Sequence, residues 1–167
     1  MSVSSAVKGK HEGSGEIARF YMVFVPCLIA FGIVYLMLRT NPVLDPFLEF
    51  NAGIVSAALS LFGVSSEVSG ATVISSMFSF YVIAECTSLL FTGIFISAVL
   101  AWPATKKRKL NGIAIGVAGL FLLNLIRMIT LFYIGSSMEG LFDIIHFFVW
   151  PIVMVVVTIG LWLFWTK

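Results

Sequence analysis

The sequence predicts an all-α polytopic membrane protein of about four transmembrane helices, with an outer-face interfacial helix and a short β-hairpin added to them. Three observations carry that prediction. Of 167 residues, 60% are hydrophobic and only 11% are charged, where a soluble domain carries about 25% charged residues; the mean hydropathy is +1.08. Apolar runs long enough to cross, or nearly cross, a ~30 Å hydrocarbon core recur along the chain. Lysine and arginine are unevenly shared among the connectors, as the positive-inside rule requires of a multi-span chain.

The elements follow in order. Residues 1–16 (MSVSSAVKGKHEGSGE) are rich in Ser, Gly and Lys, which predicts a disordered tail. Residues 1–19 read as a cytoplasmic tail and 20–167 as a single membrane-embedded domain. The first span covers 20–38 and ends at Arg39, Thr40, Asn41 and Pro42. It has no small-residue cleavage site, so it reads as a helix of the mature chain rather than a signal peptide. DPFLEFNAGIVSAALSLFGV follows, helix-like but with Asp45, Glu49 and Asn51 near its start. That places an outer interfacial helix here, with a span over 43–62 as the alternative. VSSEVSGATVISSMFSFYVIAE has turn-like Ser69-Gly70 and Ser75-Ser76 among β-formers, the pattern of a hairpin. An open hairpin cannot face lipid, so it sits outside the membrane or packs on protein. The remaining spans cover 86–102, 112–134 and 146–165, with KKRK (106–109) between the first two of them and the polar GSSMEGLFD before the last.

Orientation follows from the basic residues. KKRK marks a cytoplasmic loop. With both termini inside, eight of the ten basic residues are cytoplasmic, Arg39 is outside and Arg127 lies within the membrane. Six acids (Asp45, Glu49, Glu67, Glu85, Glu139, Asp143) fall on the outer side. Trp102, Trp162 and Trp165 mark the inner boundary, and Tyr35, Tyr133 and Trp150 the outer one.

Arg127 is the most informative single residue. It is the only charge in GLFLLNLIRMITLFYIG, and an arginine at membrane depth costs roughly 2.5–3.5 kcal/mol on insertion scales. Counted from residue 112, it stands roughly 22 Å up a ~30 Å core, in the outer half. Cys86 and His146 each open a predicted span at the outer face, so a thiol, a guanidinium and an imidazole share one layer. A helix N-terminus favours a thiolate, which makes Cys86 a candidate for a lowered pKa. His146 is placed to pair with it or to move its proton. Arg127 is a fixed cation suited to an oxyanion or a substrate group. Asn124, three residues earlier on the same helix face, is placed to orient Arg127 or to donate a hydrogen bond.

Each of these has a plainer reading. Free cysteines are commonly buried and inert, and Cys27 belongs to that class. His146 also suits an interfacial polar position. Arg127 also suits snorkelling or a structural pair with Glu85, Glu139 or Asp143. Metal binding lacks a ligand set, since His11 lies in the tail and one cysteine with one histidine makes no site. No cofactor is expected.

Three segments together, AECTSLL with Cys86, NLIR with Asn124 and Arg127, and DIIHFFVW with His146, resemble the exosortase/archaeosortase family of membrane-embedded cysteine transpeptidases. The likeness covers about residues 60–165 and is strongest to the compact exosortase H type. Ser88 departs from it, standing where that family usually has glycine after C-[ST]. The resemblance implies a cysteine peptidase/transpeptidase with Cys86, Arg127 and His146 as catalytic residues and Asn124 in support. It implies secreted protein substrates that end in a short motif (PEP-like or IPTL-like), a transmembrane helix and a basic cluster. Cys86 would form a thioacyl intermediate, released by an acceptor nucleophile of unknown identity. The expected setting is the bacterial inner membrane, with the site facing the periplasm, lipid as surroundings and no nucleic acid partner. Two other classes stay open: a small transporter or channel subunit with Arg127 as an anion-binding residue, and a non-enzymatic assembly partner.

Overall fold

The computed structural model describes residues 3–167, with side chains from residue 15 onward except at 139. Helix α1 runs Val3–Leu38. The segment expected as a disordered tail is therefore helical from Val3, despite the weak helix formers Gly9, Gly13 and Gly15; the side chains of 1–14, His11 among them, lie outside the described residues. After a 3-10 turn at Pro42–Leu44, capped by the Asn41 side chain, helix α2 runs Asp45–Leu61 and buries Leu48, Asn51, Ala52, Val55 and Leu59. That spacing is one helical face. It packs on two strands and on a later helix, contacts open to an interfacial helix and to a span alike.

Three short strands follow, β1 (Glu67–Ser69), β2 (Thr72–Ile74) and β3 (Phe80–Tyr81). They pair antiparallel in the order β1-β2-β3, so the expected hairpin carries one further strand. Gly70, at φ 58°, makes the two-residue turn between β1 and β2, a geometry only glycine adopts without strain there.

Helix α3 (Leu89–Ala101) is shorter than the expected span over 86–102. At about 20 Å it falls short of a ~30 Å core. Three other helical stretches, 15–38, 106–137 and 140–166, are long and apolar enough to cross a membrane. The chain is an all-α membrane protein with a small sheet. Helix α4 runs Lys106–Ser137, so KKRK is its first turn and not a loop. Thr105 supplies the N-cap, accepting from the Arg108 N–H, and lysine and arginine are good helix formers. The expected polar connector shrinks to Met138, and α5 (Glu139–Ile144) passes through a π-helical turn at Ile145–Val149 into α6 (Trp150–Thr166).

Two apolar cores hold the chain together. One, at the KKRK end, is Phe95, Val99 and Leu120 with Phe91, Leu161 and Trp162 against them. The other seats α2 and the sheet on the far half of α4 through Val55, Leu59, Val73, Val82, Met128 and Phe132. Helix α4 is about 48 Å long, and it alone serves both. Close approach depends on small residues: a Cβ at Gly93 would strike Phe31, and one at Gly116 would strike the Phe95 ring. Gly116→Val is expected to destabilise the fold by about 1–3 kcal/mol. Gly119→Ala, whose Cβ would meet only Leu161 at 3.6 Å, should leave the detergent thermal midpoint near wild type. Equal midpoints for both variants would contradict this packing.

Candidate active site

Cys86 does not open a helix. It closes a 3-10 turn, Ala84–Cys86, three residues ahead of the first residue of α3. Thr87 explains the break: its hydroxyl donates to the Ala84 carbonyl at 2.7 Å and accepts from the Leu89 N–H at 3.3 Å. A free N–H at the head of α3 is thus met by threonine, and the thiol is not aligned with that helix end. Ser88 is buried at φ −76° and ψ 2°, a negative-φ conformation that does not require glycine.

Two side chains of α4, one turn apart, grip this turn. Asn124 Nδ2 donates to the Cys86 carbonyl at 3.0 Å, and Arg127 Nη1 donates to the Glu85 carbonyl at 3.4 Å. Asn124 therefore serves the Cys86 backbone directly. Both are buried, at 0% and 4% exposure, where an unmet polar group costs about 1–3 kcal/mol. Asn124 Oδ1 and Arg127 Nε have no hydrogen-bond partner among the described residues. The Glu85 carboxylate turns away to Arg39, Oε1 to Nη1 at 3.2 Å, in a half-exposed pair. Among the described residues Arg127 makes no salt bridge.

His146 lies in the π-helical turn, not at a helix start, because α5 precedes it. Its ring packs against Phe142 and Phe147, with centroids 5.3 and 4.7 Å away. Nδ1 is buried without a partner among the described residues. Such π turns commonly mark functional positions in helices.

Cys86, Arg127 and His146, from three separate segments, line one cavity of ≈ 360 Å³. Its other walls are mostly aromatic and aliphatic, including Phe78, Phe80, Phe132 and Phe142. Phe78 is seated by Gly135 of α4, where a Cβ would meet its ring at 2.6 Å, and it stacks on Phe80 and meets Phe132 edge-on. Reading the sequence for charge and nucleophiles overlooks these rings. The available signal was Phe142 four residues before His146, a spacing that puts two side chains on one helix face.

Burial pushes the Cys86 thiol up from its ordinary value, outweighing the pull of the Ile83 backbone hydrogen bond and the Arg127 charge. This corrects the expectation of a lowered value: desolvation among the apolar walls dominates, and the helix start on which that expectation rested lies three residues further on. In a Cys27→Ser background, alkylation of Cys86 by a small neutral reagent should rise with pH. Its midpoint should lie above that of a small free thiol run in parallel, and a lower midpoint would count against the buried placement.

Among the described residues no group of three His, Cys, Asp or Glu stands together as a metal cage. The arrangement is a partly buried thiol beside a fixed cation and an imidazole in a largely apolar pocket, a set suited to acyl transfer. Compared with known proteins, residues 16–163 match the family model for transmembrane exosortase (Exosortase_EpsH). No curated protein and no solved structure gives a significant match.

Proposed function

The chain belongs to the transmembrane exosortase family, and from that premise we propose that it cleaves and sorts secreted proteins carrying a C-terminal motif, transmembrane helix and basic cluster. The single observation that supports this most is the shared cavity of Cys86, Arg127 and His146. Cys86 is the nucleophile. Its thiol passes the proton to His146 as the sulfur attacks the scissile carbonyl, forming the C–S bond and a tetrahedral oxyanion. Arg127, tethered beside Cys86 through Glu85, offers its remaining N–H groups to that oxyanion. The C–N bond then breaks, His146 protonates the departing amine, and a thioester remains on Cys86. An acceptor amine or other nucleophile attacks the thioester and frees the thiol.

Asn124 keeps the nucleophile turn in register by holding the Cys86 carbonyl. We place the protein in the bacterial inner membrane with this cavity toward the periplasm, since KKRK opens α4 and Arg127 lies in the helix's other half. The test is co-expression with a secreted reporter bearing the three-part signal. A shortened reporter that requires the signal is the expected result; a full-length reporter with every candidate signal motif counts against the proposal.

A further inference from the structure

A second cavity, of ≈ 350 Å³, opens at the KKRK end between the start of α4 and the end of α6. Its floor is the Trp165 indole, lying on Gly112 where no Cβ would fit. Trp165 Nε1 donates to the Arg108 carbonyl at 3.2 Å. The Arg108 guanidinium stands over the Trp165 ring, 5.6 Å from its centroid. Its Nη2 donates to the carbonyls of Trp165 and Thr166, at 2.9 and 3.1 Å. One cationic wall is thus held in place by contacts within the protein.

Lys107 and Asn111, exposed and four residues apart on α4, bring an ammonium and a carboxamide to the same rim. Among the described residues no acidic side chain lines the cavity. Further along the helix the lining turns apolar at Ile115, which is 66% exposed. Polarity therefore falls along one helix, from two cations to an aliphatic surface. A free anion would use only the first part of that gradient. An amphiphile with an anionic head uses all of it.

We propose that this cavity binds an anionic phospholipid, its headgroup phosphate against Lys107, Arg108 and Asn111 and an acyl chain along Ile115. Basic pockets between transmembrane helices at the cytoplasmic boundary have this chemistry, and Trp165 is the kind of ring that anchors there. The site is separate from the cysteine cavity and does not depend on the transpeptidase reading.

The test is native mass spectrometry of the full-length, delipidated protein in detergent, titrated with phosphatidylglycerol or phosphatidylcholine. Retention of phosphatidylglycerol should exceed that of phosphatidylcholine, and Lys107→Gln should reduce it about fivefold, as expected for loss of one surface cation near a lipid phosphate. Lys106→Gln removes the same charge from a residue that does not line the cavity, and should leave retention unchanged. Inorganic phosphate should fail to displace the lipid. Equal retention of the two lipids, equal losses for the two variants, or full displacement by phosphate would each overturn the proposal, the last by reducing the site to a simple anion pocket.

Discussion

Cys86→Ala is expected to stop reporter processing, by about 10³-fold or more, as loss of a covalent nucleophile does, with full-length reporter accumulating. The protein itself should insert and fold normally. The thiol is only partly buried, while the contacts that shape its turn use the backbone carbonyl and Thr87, not the sulfur. Insertion and thermal midpoint thus act as internal controls. Cys27→Ser, in α1 and away from the cavity lining, should process at the wild-type rate. Processing that persists in Cys86→Ala would remove the transpeptidase reading, and Arg127 would again be a buried cation without a chemical role. A transporter with Arg127 as its anion site predicts the reverse pairing, a silent Cys86→Ala and flux lost on changing Arg127.

Arg127→Lys should be nearly as damaging to activity, by about 10²–10³-fold, the usual cost of losing an oxyanion donor. Charge is preserved in that variant, so the loss would come from geometry. The guanidinium presents several donors in a rigid fork, enough to hold the Glu85 carbonyl and still face a developing oxyanion; an ammonium on a flexible stem lacks that arrangement. Arg127→Leu should fail more broadly, because it also leaves the Glu85 carbonyl unmet beside the nucleophile. Near-normal processing by Arg127→Lys would show that charge alone suffices and that the hydrogen bond to Glu85 has no catalytic consequence.

Much of the site was legible because its signals are local. Arg127 stands out against an apolar run, Asn124 shares its helix face by spacing, and Ser69-Gly70 and Ser75-Ser76 mark the sheet turns. What could not be read was set by contacts distant in sequence. Asn124 meets Cys86 across 38 positions, and Arg127 meets Glu85 across 42. Arg108 and Lys109, which as sequence mark only orientation, reach the carbonyl ends of α6 and α3. This offsets the unfavourable placement of cations at the start of a helix.

By itself the sequence determined the membrane class, the order of apolar helices and the short sheet, and which side chains are too costly to bury without a reason. Those follow from hydropathy, charge and turn chemistry within a few residues of each position. Tertiary structure decided that Cys86 ends a turn rather than beginning a helix, that burial pushes its thiol pKa up, and that His146 lies in a π turn beside aromatic walls. Lateral proximity of helices depends on glycine-and-ring packing such as Gly116 on Phe95 and Gly135 on Phe78, and hydropathy along a chain carries no record of which helix faces which.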